Sequence, residues 1–63
     1  MYIIHEGIVY NLRTLITVRQ HLYDGRPALL LEYPNRVATL LCVNTVQCDT
    51  LFKNIRALMD YKS

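Results

Sequence analysis

The segment PALLLEYPNRVATLLCV, Pro27 to Val43, decides how this chain folds. It reads as two apolar strands joined by a turn at Pro34-Asn35. Successive side chains of a strand point to opposite faces, so a half-buried strand alternates apolar with polar residues. Here the apolar residues occupy both alternating sets. One helix can cover one face of a small sheet, which leaves the other face for something outside the fold.

Upstream, Leu15 to Tyr23 alternates at period two, with Ile16, Val18 and Leu22 on one face and Thr17, Arg19 and His21 on the other. Asp24-Gly25 follows. A two-residue type I′ turn needs positive φ at both central positions, and this dipeptide supplies it. The turn sets Tyr23 opposite Arg26, Val18 opposite Leu31 and Thr17 opposite Glu32. Leu29, Leu31 and Tyr33 then share the face of Ile16, Val18 and Leu22, and Arg19 lies diagonal to Glu32 on the other.

Downstream the register has two solutions. A two-residue loop at Pro34-Asn35 puts Ala38, Leu40 and Cys42 on the face of Leu29 and Leu31. A three-residue loop with a bulge puts Val37, Thr39, Leu41 and Val43 there instead, because a slip of one residue exchanges the faces. Under the two-residue register, Leu29, Leu31, Ala38, Leu40 and Cys42 belong to the core, beside Ile16 and Val18. Ala28, Leu30, Val37, Leu41 and Val43 form a partner surface.

The ends of the chain complete the outline. Tyr2 to His5 and Ile8 to Tyr10 predict a small hairpin about Glu6-Gly7, with a single strand and an irregular lead-in as the alternative. Asn11 to Thr14 reads as a bend. After Val43 the period changes. Asn44-Thr45-Val46-Gln47 has the form of a capping box. Cys48, Leu51, Phe52, Ile55, Leu58 and Met59 recur at helical spacing on one face, opposite Asp49, Lys53, Asn54, Arg56 and Asp60. A helix from Thr45 to Met59 or Asp60 follows, with Asp49 and Lys53 as an i,i+4 pair.

This layout resembles that of many small uncharacterised bacterial and phage proteins, which have β-hairpins followed by one C-terminal helix. Asn11-Leu12, Asp24-Gly25, Pro34-Asn35 and the helix after Asn44 carry the resemblance. It implies the fold and, by analogy, a modulator of a larger host machine.

At 63 residues the chain makes one domain, residues 1–63, near the lower limit for folding alone. A hydrophobic fraction of 52% excludes a disordered chain. Two cysteines are too few for a disulfide scaffold. Oligomerisation is the expected supplement to so small a core. No apolar run approaches the roughly 20 residues of a membrane helix, and the N-terminus lacks the pattern of a signal peptide. A soluble, cytoplasmic protein with reduced thiols is expected.

The chemistry-bearing residues support no reaction. His5, His21, Cys42 and Cys48 are zinc-ligand types, but their spacing matches no finger or knuckle, so no metal or other cofactor is expected. Cys48 near a helix N-terminus could have a lowered pKa, yet it sits on the apolar stripe, where packing is the default. The acids are scattered. No enzyme is expected. Net charge is +2 and the arginines form no run. Arg19, Tyr23 with Arg26 at one turn, and Tyr33 with Arg36 at the other, are the candidates for binding a nucleotide, another small anion or nucleic acid.

The resulting expectation is an α+β domain, a small antiparallel sheet of three to five strands with one C-terminal amphipathic helix on one face. Its expected role is non-catalytic binding, by a regulatory protein that self-associates and acts on a larger protein. Capture of an anionic ligand at a subunit interface and weak nucleic-acid binding are the alternatives.

Overall fold

The computed structural model describes residues 1–62, and the side chains of residues 1–60. Its elements are β1 (Tyr2–His5), β2 (Ile8–Asn11), β3 (Thr17–Tyr23), β4 (Arg26–Glu32), β5 (Val37–Leu41) and α1 (Thr45–Lys62). β1 and β2 form a separate antiparallel ribbon, and β3-β4-β5 is an antiparallel meander. The fold is α+β, as the residue pattern predicts.

Both short hairpins turn through left-handed backbone. Glu6 and Gly7 have φ of 54° and 75°, and Asp24 and Gly25 have 53° and 79°. The Asp-Gly turn sets Tyr23 against Arg26, Val18 against Leu31 and Thr17 against Glu32. At the next turn the Tyr33 amide donates to the Arg36 carbonyl at 2.8 Å, closing a two-residue loop at Pro34-Asn35. Leu29 therefore faces Leu40, and Leu31 faces Ala38. The bulged alternative does not occur.

The helix entry is a reciprocal cap. Asn44 Oδ1 accepts from the Gln47 amide at 2.8 Å, and Gln47 Oε1 accepts from the Val43 amide at 2.7 Å. These bonds occupy donors that a helix start cannot bond internally. The helix ends at Lys62, beyond the expected Asp60. It lies against β3 and β4. Its stripe buries Cys48 and Ile55, with Leu51, Phe52, Leu58 and Met59 packed at the margin.

The core comprises Leu12, Leu15, Leu29, Leu31, Tyr33, Leu40, Cys42, Cys48 and Ile55. Two expectations need correction. Ile16 is 56% exposed, and its place is taken by Leu15. β3 begins only at Thr17, and the Leu15 amide donates to the Leu12 carbonyl at 3.3 Å, so this turn brings both leucines inward. Leu22 is 68% exposed near the tip of its hairpin. Asp49 also differs, because its Oδ1 accepts from Gln20 Nε2 at 2.6 Å and ties α1 to β3.

Candidate interaction surface

The face of the meander opposite α1 carries Thr17, Arg19 and His21 from β3, Leu30 and Glu32 from β4, and Val37, Thr39 and Leu41 from β5. Leu30 and Leu41 are half-buried, and Val37 is 57% exposed. Arg19 Nη2 lies 3.1 Å from Glu32 Oε1 across this face. Both side chains are substantially solvated, so the pair contributes at most a few tenths of a kcal/mol. Its hydrocarbon stems flank Leu30, which stands opposite Arg19 in the ladder.

Two residues assigned to this surface from the sequence do not contribute to it. Ala28 is wholly buried within one chain. It lies on the central strand between His21 and Leu41, its ladder partners on either side. Val43 lies beyond the end of β5 in the helix entry, and it is exposed there rather than on the sheet. The surface is therefore Leu30, Val37 and Leu41.

A second apolar surface escaped the sequence reading. In the β1–β2 ribbon, Ile3 and Tyr10 pair on the inner side and pack against the core. Ile4 and Val9 pair on the outer side, each 62% exposed, with Tyr2 beside them. The available signal was the unbroken apolar run Tyr2-Ile3-Ile4, which leaves no polar face.

His5 is the one buried charged-type side chain among the described residues. Its Nε2 lies 2.6 Å from the Leu41 carbonyl oxygen. A carbonyl only accepts, so His5 Nε2 carries the proton and donates. Leu41 is an outward-facing position of β5, so this bond caps part of that sheet edge with a side chain from the ribbon.

The five anion-binding candidates do not converge. Arg19 is paired with Glu32. Tyr23 ends β3 opposite Arg26 at the start of β4, and Tyr33 and Arg36 lie beyond the far end of β4. Arg36 stacks over the Tyr33 ring at 4.9 Å, and the Tyr33 hydroxyl donates to the Asn11 carbonyl at 2.7 Å. The ring is thus built into the core. Burial raises the Tyr33 hydroxyl above its ordinary pKa, opposed by the charge of Arg36.

Both thiols are free and buried. Cys48 Sγ donates to the Ala28 carbonyl at 3.3 Å. Burial, reinforced by a hydrogen bond with Cys48, pushes the Cys42 thiol up to about 11. A thiol so placed stays protonated at neutral pH and packs as a small hydrophobe. Among the described residues no three His, Cys, Asp or Glu side chains gather as a metal site, and no helix is long and apolar enough to cross a membrane.

Comparison with family models, with curated proteins and with solved structures found no match to this chain.

Proposed function

We propose that this is a non-catalytic binding protein, one that self-associates and acts on a larger protein partner. The bare face of the meander carries the reading. Its helix covers one side of the sheet, while Leu30, Val37 and Leu41 lie around Thr39 on the other, Val37 exposed and the two leucines half-buried. Uncovered apolar side chains grouped on one face of a small domain mark an interaction site. A chain of 63 residues has little core to stabilise it alone, so covering this face also supplements the fold. Free buried thiols suit a reducing cytoplasm, and the layout suits a bacterial or phage modulator.

Sedimentation of the purified chain tests the reading. Leu30→Glu places a carboxylate at the centre of the face, where its half-buried side chain can still reach water. The mass of the assembly should fall, with the far-UV circular dichroism unchanged. A wild-type chain that sediments as a strict monomer at micromolar concentration overturns the reading.

A further inference from the structure

The two edges of the meander are not equivalent. The Cys42 amide donates to the Pro27 carbonyl and the Tyr33 amide to the Arg36 carbonyl. Antiparallel strands alternate residues that bond to one neighbour with residues that bond to the other. Pro27, Leu29, Leu31 and Tyr33 therefore face β5, and Ala28, Leu30 and Glu32 face β3. On β3 this leaves Val18, Gln20 and Leu22 with amides and carbonyls directed outward, and none has a partner among the described residues. On the β5 edge, His5 caps the Leu41 carbonyl at one end and stands beside the strand there. The β3 edge runs uncapped for seven residues with no proline among them; its one irregularity is at the start, where the Ile16 amide donates to the Glu32 carbonyl that stands opposite Thr17.

We propose that β3 pairs with β3 of a second copy of this chain, antiparallel about a two-fold axis through Gln20. The inference rests on the reading that the chain self-associates, and it names a route. Gln20 is the midpoint of Thr17–Tyr23, so this register overlaps the strand along its full length. It also pairs every outward residue, Gln20 with its own copy and Val18 with Leu22 of the second copy, forming about six hydrogen bonds. The exposed Leu22 gains an apolar neighbour twice over, as an isologous contact requires. On the opposite face Thr17 meets Tyr23, and Arg19, already paired with Glu32, meets His21.

Neighbouring registers are worse. A shift one way sets Arg19 opposite its own copy, a like-charge pair. A shift the other way sets Gln20 against Leu22 and Val18 against Asp24. Pairing β3 with β5 would be head-to-tail and open-ended, and His5 obstructs it. The chosen register joins two meanders into one six-stranded sheet and merges their bare faces into a single wider surface, on which a second such pair or the protein partner can pack.

Sedimentation of five full-length chains tests this: wild type, Leu22→Lys, Gln20→Pro, Gln20→Ala and Leu30→Glu. Leu22→Lys alters a solvent-exposed side chain. Gln20→Pro removes a backbone amide that bonds nothing within the chain, a position where edge strands tolerate proline; it also removes the Nε2 bond to Asp49, so Gln20→Ala, which loses that bond and keeps the amide, is its control and should still pair. Leu22→Lys and Gln20→Pro should each weaken the two-chain species by on the order of tenfold or more, whereas Leu30→Glu should still leave pairs. Gln20→Cys should be joined to its own copy by a short bis-maleimide, while the buried Cys42 and Cys48 do not react. Loss of pairs in Leu30→Glu, with native mass in Leu22→Lys and Gln20→Pro, overturns the edge and leaves the face reading standing. Pairs lost in Leu22→Lys, with native mass in Leu30→Glu, support the edge and overturn the face. A wild-type monomer overturns both.

Discussion

Leu30 and Leu31 are adjacent in β4 and identical in chemistry, so truncating each isolates the effect of facing. Leu31 is wholly buried beneath α1, and Leu30 is half-buried on the bare face. Truncating a buried leucine to alanine costs about 2–5 kcal/mol, from lost transfer free energy plus the cavity left behind. Leu31→Ala should cost about 3 kcal/mol. Leu30→Ala removes fewer atoms from shelter and leaves no closed cavity, so it should cost about 1 kcal/mol. A 63-residue domain holds roughly 3–9 kcal/mol in total, so the Leu31 loss is a large fraction of it. At about 4–8 °C per kcal/mol for a domain of this size, Leu31→Ala should lower Tm by roughly 12–24 °C. Urea unfolding followed by circular dichroism supplies the free energies, with equal slopes confirming that stability alone has changed. Two concentrations are needed. Any part of the Leu30→Ala loss that comes from self-association shrinks on dilution, while the Leu31→Ala loss does not. Equal losses for the two variants in dilute solution would refute the assignment of faces.

Three further outcomes follow from single contacts. Asn44→Ala removes the acceptor for the Gln47 amide and should cost about 1 kcal/mol by urea denaturation; an unchanged midpoint would mean that the cap contributes nothing. His5→Phe keeps a ring in place but leaves the Leu41 carbonyl without its donor, a loss of about 1–2 kcal/mol, with faster amide exchange in β1 and β2 as the local signature. Alkaline pH should destabilise the fold. The Cys42 thiol moves from 9.0 to about 11 on folding, so its contribution is complete below pH 9 and disappears as pH rises through about 11. Tyr33 is raised as well and acts in the same direction. A Cys42→Ala chain should lose less stability across that window, and an identical pH dependence would remove the thiol from the explanation.

The surface was less legible than the fold. Period two marked Leu30, Val37 and Leu41 as facing away from the helix, and that placement follows once the turns are known. Periodicity carried no information about neighbours, so it gave Ala28 the same exposure as Leu30. It also counted Val43 as strand, although the chain had already turned into the helix cap. Leu12 was lost to a bend because turn residues surround it, and Leu15 was counted as the first residue of the following strand. Their burial depends on the Leu15 amide meeting the Leu12 carbonyl and on what then lies beneath them. His5 gave no local signal, since its partner is a carbonyl 36 residues away.

The loop length at Pro34-Asn35 and the N-terminal hairpin were decided by the structure. The residues alone determined the elements from β3 onward, the places of the two β3–β4–β5 turns and the core stripe of the helix. Each of these is set by local chemistry: positive φ at Asp24-Gly25, a fixed φ at Pro34, a side-chain cap at Asn44, and the periods 2 and 3.6. Tertiary structure alone decided which apolar residues remain uncovered, that the ribbon presents Ile4 and Val9 outward, and that one sheet edge is capped at Leu41 while the other carries no such cap. Those outcomes depend on which surfaces meet across long stretches of chain. An edge or a face is defined by the absence of a neighbour, and a sequence records only the residue that waits for one.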